Sequence, residues 1–188
     1  LGEVSTDINK SVTDKIRIVR QLTQEDILEI SDNKVWFNSD WQLHRLDGPA
    51  VEYPDGSTTW CVNGQFHRLD GPAVDDASGY KEWWVNGQRH RSDGPAVEYS
   101  SGFKAWYVNG QWHRLDGPAV EYASGSKEWY VNGQRHREDG PAVEGANGSK
   151  EWWVNGKRLT EEEFNNLHNS CSGKIVEIDG KKYRLTSV

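Results

Sequence analysis

Imidazole, guanidinium and carboxylate recur together five times in this chain. His44, His67, His90, His113 and His136 are each followed at once by an arginine (Arg45, Arg68, Arg91, Arg114, Arg137) and three residues on by an aspartate (Asp47, Asp70, Asp93, Asp116, Asp139). Metal sites, acid–base pairs and phosphate clamps are built from these groups, so spacing has to decide among them. Zinc holds its donor atoms at roughly 2.1 Å. Equivalent atoms in successive copies of a β repeat lie about 10 Å apart or more, two strand spacings. The histidines therefore cannot share one ion, and each reads as a structural group bonding a neighbouring turn. Each arginine reads as the partner of a carboxylate in the adjacent copy, with the aspartate fixing its own turn. The alternative is a guanidinium row that reads phosphates or a partner's acidic side chains. No Gly-rich phosphate loop, HExxH or Cys–His constellation occurs, and the acids are scattered as turn and surface residues. The expectation is a protein that is not an enzyme and uses neither cofactor nor metal.

A second candidate is an aromatic row: Trp84, Tyr107, Tyr130 and Trp153, with Cys61 in the first position. A contiguous exposed aromatic stripe marks an interface. The other reading has the row packed against end caps, a second copy of the chain, or Lys and Arg stems. Phe66 and Trp112 stand where other copies carry arginine, which makes their positions less regular. The candidate partner-binding residues are therefore Trp84, Tyr107, Tyr130, Trp153, Trp112 and Phe66, with Arg68, Arg91 and Arg114 as the polar component.

The elements that position these groups follow from a 23-residue period over residues 44–158. A short fixed period implies an array in which each unit packs mainly on its neighbours. Asn63-Gly64, Asn86-Gly87, Asn109-Gly110, Asn132-Gly133 and Asn155-Gly156 sit between apolar or aromatic residues, the strongest short-range hairpin signal. Asp55-Gly56 and the Ser-Gly or Asn-Gly pairs at 78, 101, 124 and 147 mark a second reversal, and Asp-Gly-Pro ends the third segment. Each copy is two or three short antiparallel strands, with no helix. Alternation along the central strand puts Trp60, Trp83, Trp106, Trp129 and Trp152 on the side of the following valines, the expected buried face, and turns the aromatic row outward.

Three segments result. Residues 1–43 form an N-terminal cap, in which 36–41 reads as a decayed repeat and 23–30 as a short helix. Residues 44–158 are the repeats. Residues 159–188 form a C-terminal cap: Thr160 with Glu163 is a capping box, Phe164 and Leu167 fold back over the last unit, and Ile175–Ile178, Asp179-Gly180 and Lys181–Leu185 make a terminal hairpin. The fold class is all-β: an elongated solenoid of stacked antiparallel hairpin repeats with a short capping helix and a terminal hairpin.

The wording aromatic-Val-Asn-Gly-x-x-His, as in Trp84-Val85-Asn86-Gly87-Gln88-Arg89-His90, resembles the MORN repeat, and the resemblance covers residues 44–158. Departures are Glu82, Ala105, Glu128 and Glu151 at the usual glycine two before the aromatic, and arginine after every histidine. The His-Arg-x-Asp-Gly-Pro-Ala wording is similar to a MORN-related variant in proteins of bacteriophages and other large DNA viruses, and more loosely to repeat antitoxins of bacteria. The resemblance implies stacked hairpins that serve as scaffolds and partner-binding surfaces, and it names no ligand.

Composition bounds the partners. The formal charge of −7 is spread along the chain, so nucleic-acid binding lacks its electrostatic footprint. No basic amphipathic or long apolar segment points to a membrane. Cys61 and Cys171, the two cysteines, read as free thiols in a reducing compartment, which with the missing secretory signal points to the cytoplasm, the host's if the chain is viral. The expected function is a non-enzymatic scaffold binding a host protein, such as a phage-encoded inhibitor of a defence system or enzyme. Sequestration of a small nucleotide-like ligand and a self-assembling virion component are the alternatives.

Overall fold

The computed structural model describes residues 27–30, 32–169 and 175–184. It is an all-β repeat solenoid, built from regularly repeating antiparallel hairpins with one helix among the described residues. Each of the first four copies supplies four two-residue strands. In one copy, Val74–Asp75 and Lys81–Glu82 enter a ladder, while Trp84–Val85 and Gln88–Arg89 form a separate small hairpin. The pivot between them is the tryptophan. The Trp83 N–H donates to the Ala96 carbonyl at 2.8 Å, and the Trp83 carbonyl accepts from the His90 N–H at 3.1 Å. A single central strand, expected from alternation, is thereby cut in two; only the last copy keeps it whole, as Lys150–Val154.

The chain forms two compact units, Leu1–Gly110 and Gln111–Val188. In the first, the ladder runs Ile27–Ile30, Asn33–Trp36, Val51–Glu52, Thr58–Thr59, Val74–Asp75, Lys81–Glu82, Val97–Glu98, Lys104–Ala105, each strand antiparallel to the next. Residues 27–30 are thus strand, correcting the expected helix; they pair with Asn33–Trp36 across a turn that a helix would have consumed. Residues 23–26 lie outside the described residues. The decayed repeat is present. Trp36 takes the pivot role, its N–H donating to the Ala50 carbonyl at 2.9 Å, and Asn38 Oδ1 closes the longer loop by accepting the Asp40 and Gln42 N–H groups at 3.0 Å.

In the second unit the ladder runs Val120–Glu121, Lys127–Glu128, Val143–Glu144, Lys150–Val154, Lys157–Leu159. The helix Glu161–Asn169 follows, started by the expected capping box: Thr160 N–H donates to Glu163 Oε2 at 2.7 Å and Glu163 N–H to Thr160 Oγ1 at 3.1 Å. Leu159 and Phe164 are buried where the helix meets the last two ladder strands. Leu167 stays 55% exposed, so the fold-back is carried by Phe164. Ile175–Ile178 and Lys181–Arg184 form the terminal hairpin.

The turns behave as their sequences require. Asn63, Asn86, Asn109, Asn132 and Asn155 have φ of 49–50° and their glycines 72–78°, the double positive φ of a type I′ turn. Each turn is also held from outside. The N–H of Asn63, Asn86, Asn109, Asn132 and Asn155 donates at 3.0–3.2 Å to Nδ1 of His44, His67, His90, His113 and His136, nineteen residues earlier. Each of these histidines bonds a neighbouring turn, as expected.

Burial is distributed differently from the alternation pattern. Ala50, Ala73, Ala96, Ala119 and Ala142 have no exposure at all, while Trp60, Trp83, Trp106, Trp129 and Trp152 are half-buried and only Trp36 among the described pivots is buried. An arginine covers the tryptophan ring instead. Cζ of Arg45, Arg68, Arg91 and Arg137 lies 4.0, 4.0, 3.9 and 4.0 Å from the ring centroids of Trp36, Trp60, Trp83 and Trp129. The other side of the guanidinium meets a glycine: a Cβ on Gly48, Gly71, Gly94 or Gly140 would lie 2.5, 2.8, 2.9 or 3.1 Å from the same carbon. Glycine stands in His-Arg-x-Asp-Gly-Pro because the arginine occupies the space of a side chain.

The Gly94→Ala substitution should therefore dislodge the Arg91 guanidinium and destabilise the fold by about 1–3 kcal/mol, as overpacking of a tight contact does. Chemical unfolding of the purified chain reads this out. An unfolding midpoint equal to that of the unsubstituted chain would contradict the sandwich.

Candidate partner-binding surface

The small hairpins stack beside the ladder. In the first unit, Gly64 N–H donates to the Leu43 carbonyl at 2.9 Å, Gly87 N–H to Phe66 at 3.0 Å and Gly110 N–H to Arg89 at 2.9 Å. In the second, Gly133 N–H donates to the Trp112 carbonyl at 2.9 Å and Gly156 N–H to Arg135 at 3.0 Å. This stacking brings the aromatic positions into columns. Phe66 and Trp84 have ring centroids 5.2 Å apart. Arg89 lies between Trp84 and Tyr107, its Cζ at 4.9 and 5.5 Å from the two rings. In the second unit Trp112 packs on Tyr130 at 4.8 Å, and Arg135 lies between Tyr130 and Trp153 at 5.9 and 5.4 Å.

The columns are partly buried zippers with arginine between the rings, which is the packed reading of the row and not the exposed stripe. Tyr130 is only 8% exposed and Cys61 2%, while Trp84, Tyr107 and Trp153 are half-buried. The physical reason is the equal period of ladder and hairpin stack. Each side chain faces its counterpart one level on, so either side of the strand is covered. Burial pushes the Cys61 thiol up to about 11. Cys171 lies outside the described residues.

Carboxylates anchor the columns from the ladder. The buried Glu82 accepts Trp84 Nε1–H at 2.8 Å, Arg89 Nε–H at 2.9 Å and Arg89 Nη2–H at 2.5 Å. Glu128 accepts the hydroxyls of Tyr130 and Tyr122 at 2.8 and 3.0 Å and both Nε–H and Nη2–H of Arg135 at 3.1 and 2.9 Å. Burial opposes ionisation of Glu128, but the hydrogen bonds from Tyr130, Arg135 and Tyr122 outweigh it and hold the carboxyl below its ordinary range. Burial and the bond to Glu128 together push the Tyr122 hydroxyl up to about 12. Glu151 repeats the arrangement with Trp153 Nε1–H at 2.9 Å and Arg158 at 3.3 Å.

The arginine row is consumed as well. Arg68, Arg91 and Arg114 donate Nε–H to Asp70, Asp93 and Asp116 at 2.8, 2.9 and 2.9 Å, and Nη1–H to the carbonyls of Pro72, Pro95 and Pro118 at 3.2, 3.1 and 3.2 Å. Arg91 and Arg114 also reach Glu98 and Glu121 at 2.9 and 3.2 Å. These carboxylates belong to the arginine's own copy, not to the adjacent one as expected. The Asp-Gly-Pro turn brings the chain back within two residues, closer than the next copy's turn. Hydrogen bonding to arginine, then its charge, holds the Asp47, Asp70, Asp93 and Asp116 carboxyls below their ordinary range.

The candidates that do reach the surface are Phe66 and Trp112, each 37% exposed. They belong to a pattern the sequence reading missed. Where the ladder carries Glu82, Glu128 or Glu151, the residue seven on is Arg89, Arg135 or Arg158, and three further on stands Ser92, Glu138 or Glu161. Where it carries Thr59 or Ala105, those positions are Phe66 with Leu69 and Trp112 with Leu115. Leu43 with Leu46 follows the second wording. Counted from each ladder residue to the position ten on, a window that runs into the next His-Arg turn, the copies thus come in a polar and an apolar type. Leu46, Leu69 and Leu115 are 70%, 80% and 79% exposed. Comparing the copies column by column would have revealed this set.

Among the described residues, no group of three or more His, Cys, Asp or Glu side chains is placed to hold a metal ion, and no helix is long and apolar enough to cross a membrane.

Two predictions follow from these pairings. Glu82→Ala leaves the partly buried Arg89 charge without its partner and should destabilise by about 2 kcal/mol, below the range for a fully buried pair because Arg89 is partly solvated. Adding Arg89→Trp, the combination at positions 105 and 112, should recover most of that loss in urea unfolding; a double variant no more stable than Glu82→Ala would refute the pairing. The second concerns pH. Carboxyls depressed in the folded state contribute stability above their unfolded pKa, roughly 4, and lose it as pH falls through the folded values. Thermal midpoints should fall below about pH 4, less steeply in an Asp70→Asn/Asp93→Asn variant; identical slopes would show that the arginine–aspartate bonds do not contribute.

No protein-family model and no curated protein matches the chain.

Proposed function

We propose that this chain is a non-enzymatic binding scaffold whose apolar copies contact a protein partner. One observation carries the reading. Leu46, Leu69 and Leu115 are largely exposed at positions where the same backbone accepts Ser92 and Glu138, so the fold does not require an apolar side chain there. Exposed leucines beside Phe66 and Trp112 in sequence are the chemistry of an interface. The zippers and arginine sandwiches hold the backbone beneath them in one conformation, which lowers the ordering cost of association. The repeat's likeness to those of bacteriophage proteins makes a host protein the natural partner, a defence component or an enzyme kept inhibited in the cytoplasm.

Converting both apolar copies to the polar type tests this: Thr59→Glu/Phe66→Arg/Leu69→Ser together with Ala105→Glu/Trp112→Arg/Leu115→Ser. The fold should persist, because each change reproduces a combination already present in the chain. An immobilised unsubstituted chain should retain a partner from host extract that the converted chain loses. Equal retention by both chains, or no specific partner for either, overturns the reading.

A further inference from the structure

We infer that the ridge carrying Leu46 and Leu69, in the Leu1–Gly110 unit, receives an amphipathic α-helix with apolar residues seven apart and lysine or arginine beside them. This rests on the binding reading above and names the partner's chemistry.

Spacing supplies the first argument. Leu46 and Leu69 occupy equivalent positions in successive copies, and successive copies differ by two ladder strands: Val51–Glu52 and Val74–Asp75 are separated by Thr58–Thr59. Two strand spacings are about 9.6 Å. On a helix, residues seven apart share a face and are separated by about 10.5 Å. An extended strand does not match. Residues three apart span about 10 Å but point to opposite faces, while same-face residues two or four apart span about 6.7 or 13 Å. A helix lying along the direction in which the ladder grows therefore meets both leucines with one apolar stripe.

Charge supplies the second. Each leucine is followed by a carboxylate whose side chain is largely in solvent, Asp47 at 86% and Asp70 at 80%, while the arginine bonded to it is mostly covered, at 23%. The surface next to each leucine therefore presents negative charge outward, with its positive counterpart beneath. Lys or Arg next to each apolar residue of the helix complements this pattern, and a helix with Glu there is repelled. The next copy ends the apolar stripe, because Ser92 replaces leucine ahead of Asp93. Two turns' worth of contact, centred on two leucines, fits a transient rather than an obligate association.

The test uses the full chain and three fluorescently labelled, alanine-based helical peptides of about 20 residues. One carries two leucines seven apart flanked by lysines, one has the same composition with the leucines five apart, and one has glutamates for lysines. Fluorescence anisotropy should show the first binding at least about tenfold more tightly than either control, with affinity falling as salt rises. Leu46→Ser/Leu69→Ser, which copies the residue at Ser92, should abolish that preference with the thermal midpoint unchanged. Equal binding of the first two peptides, no binding of the first, or unchanged binding by the serine variant overturns the inference. A peptide failure accompanied by intact partner capture removes the helix ridge and leaves the binding scaffold standing. Failed capture alongside selective peptide binding does the reverse.

Discussion

The arginine of each His-Arg-x-Asp-Gly-Pro turn is the constraint on which the rest of the structure depends. Arg91 shows all its contacts within one unit. Its guanidinium lies 3.9 Å from the Trp83 ring centroid, a Cβ on Gly94 would fall 2.9 Å from its central carbon, and Nε–H and Nη1–H are donated to Asp93, Pro95 and Glu98. Cation–π attraction contributes about 0.5–2 kcal/mol and charge-assisted hydrogen bonds about 1.5–3 kcal/mol each. Lysine has no planar fork to lie on a ring while bonding in three directions. One side chain thus fixes the pivot tryptophan, the turn and the following ladder strand in a single arrangement, and repetition multiplies it.

From that follows the division of each copy into ladder and hairpin. Between Val51 and Glu144 the ladder strands are two residues long, too short to hold register by backbone bonds alone. Their register comes from side chains. Val51, Thr59, Val74, Glu82, Val97 and Ala105 form one cross-strand row in the first unit, and Glu52, Thr58, Asp75, Lys81, Glu98 and Lys104 form the other, mostly with alternating charge. The hairpins gain order from the histidine bond to the Asn-Gly turn and from the Glu–Arg or aromatic arms that fill the column.

Much of this was legible in the residues. Asn-Gly between apolar residues predicted the I′ turns, Thr160 with Glu163 predicted the helix start, and the histidines were expected to bond a neighbouring turn, as they do. The faces were not legible, because alternation assumes one straight strand with one covered side. A strand that pivots at Trp60 or Trp83 serves two stacks, so Tyr130 is buried and Trp84 half-buried, a choice between exposed and packed that alternation left open. Residues 27–30 were misread because Ile27, Leu28 and Ile30 fit a helix turn as well as a strand, and only the partner Asn33–Trp36 decides. The apolar and polar copy types were written in the sequence, in columns seven and ten residues apart, but their meaning depends on knowing that position 82 meets position 89.

The division of labour between repeat positions connects fold to function. Arginine, glutamate and the inner aromatics hold the backbone, while the leucine between His-Arg and Asp stays largely in solvent at positions 46, 69 and 115. The account depends on the sandwich being energetic, and a double-mutant cycle on Arg91→Gln and Trp83→Leu measures it most directly. Urea unfolding should give a coupling energy of at least about 1 kcal/mol between the two positions. Effects that add to within about 0.3 kcal/mol would show that the guanidinium and the indole merely lie side by side.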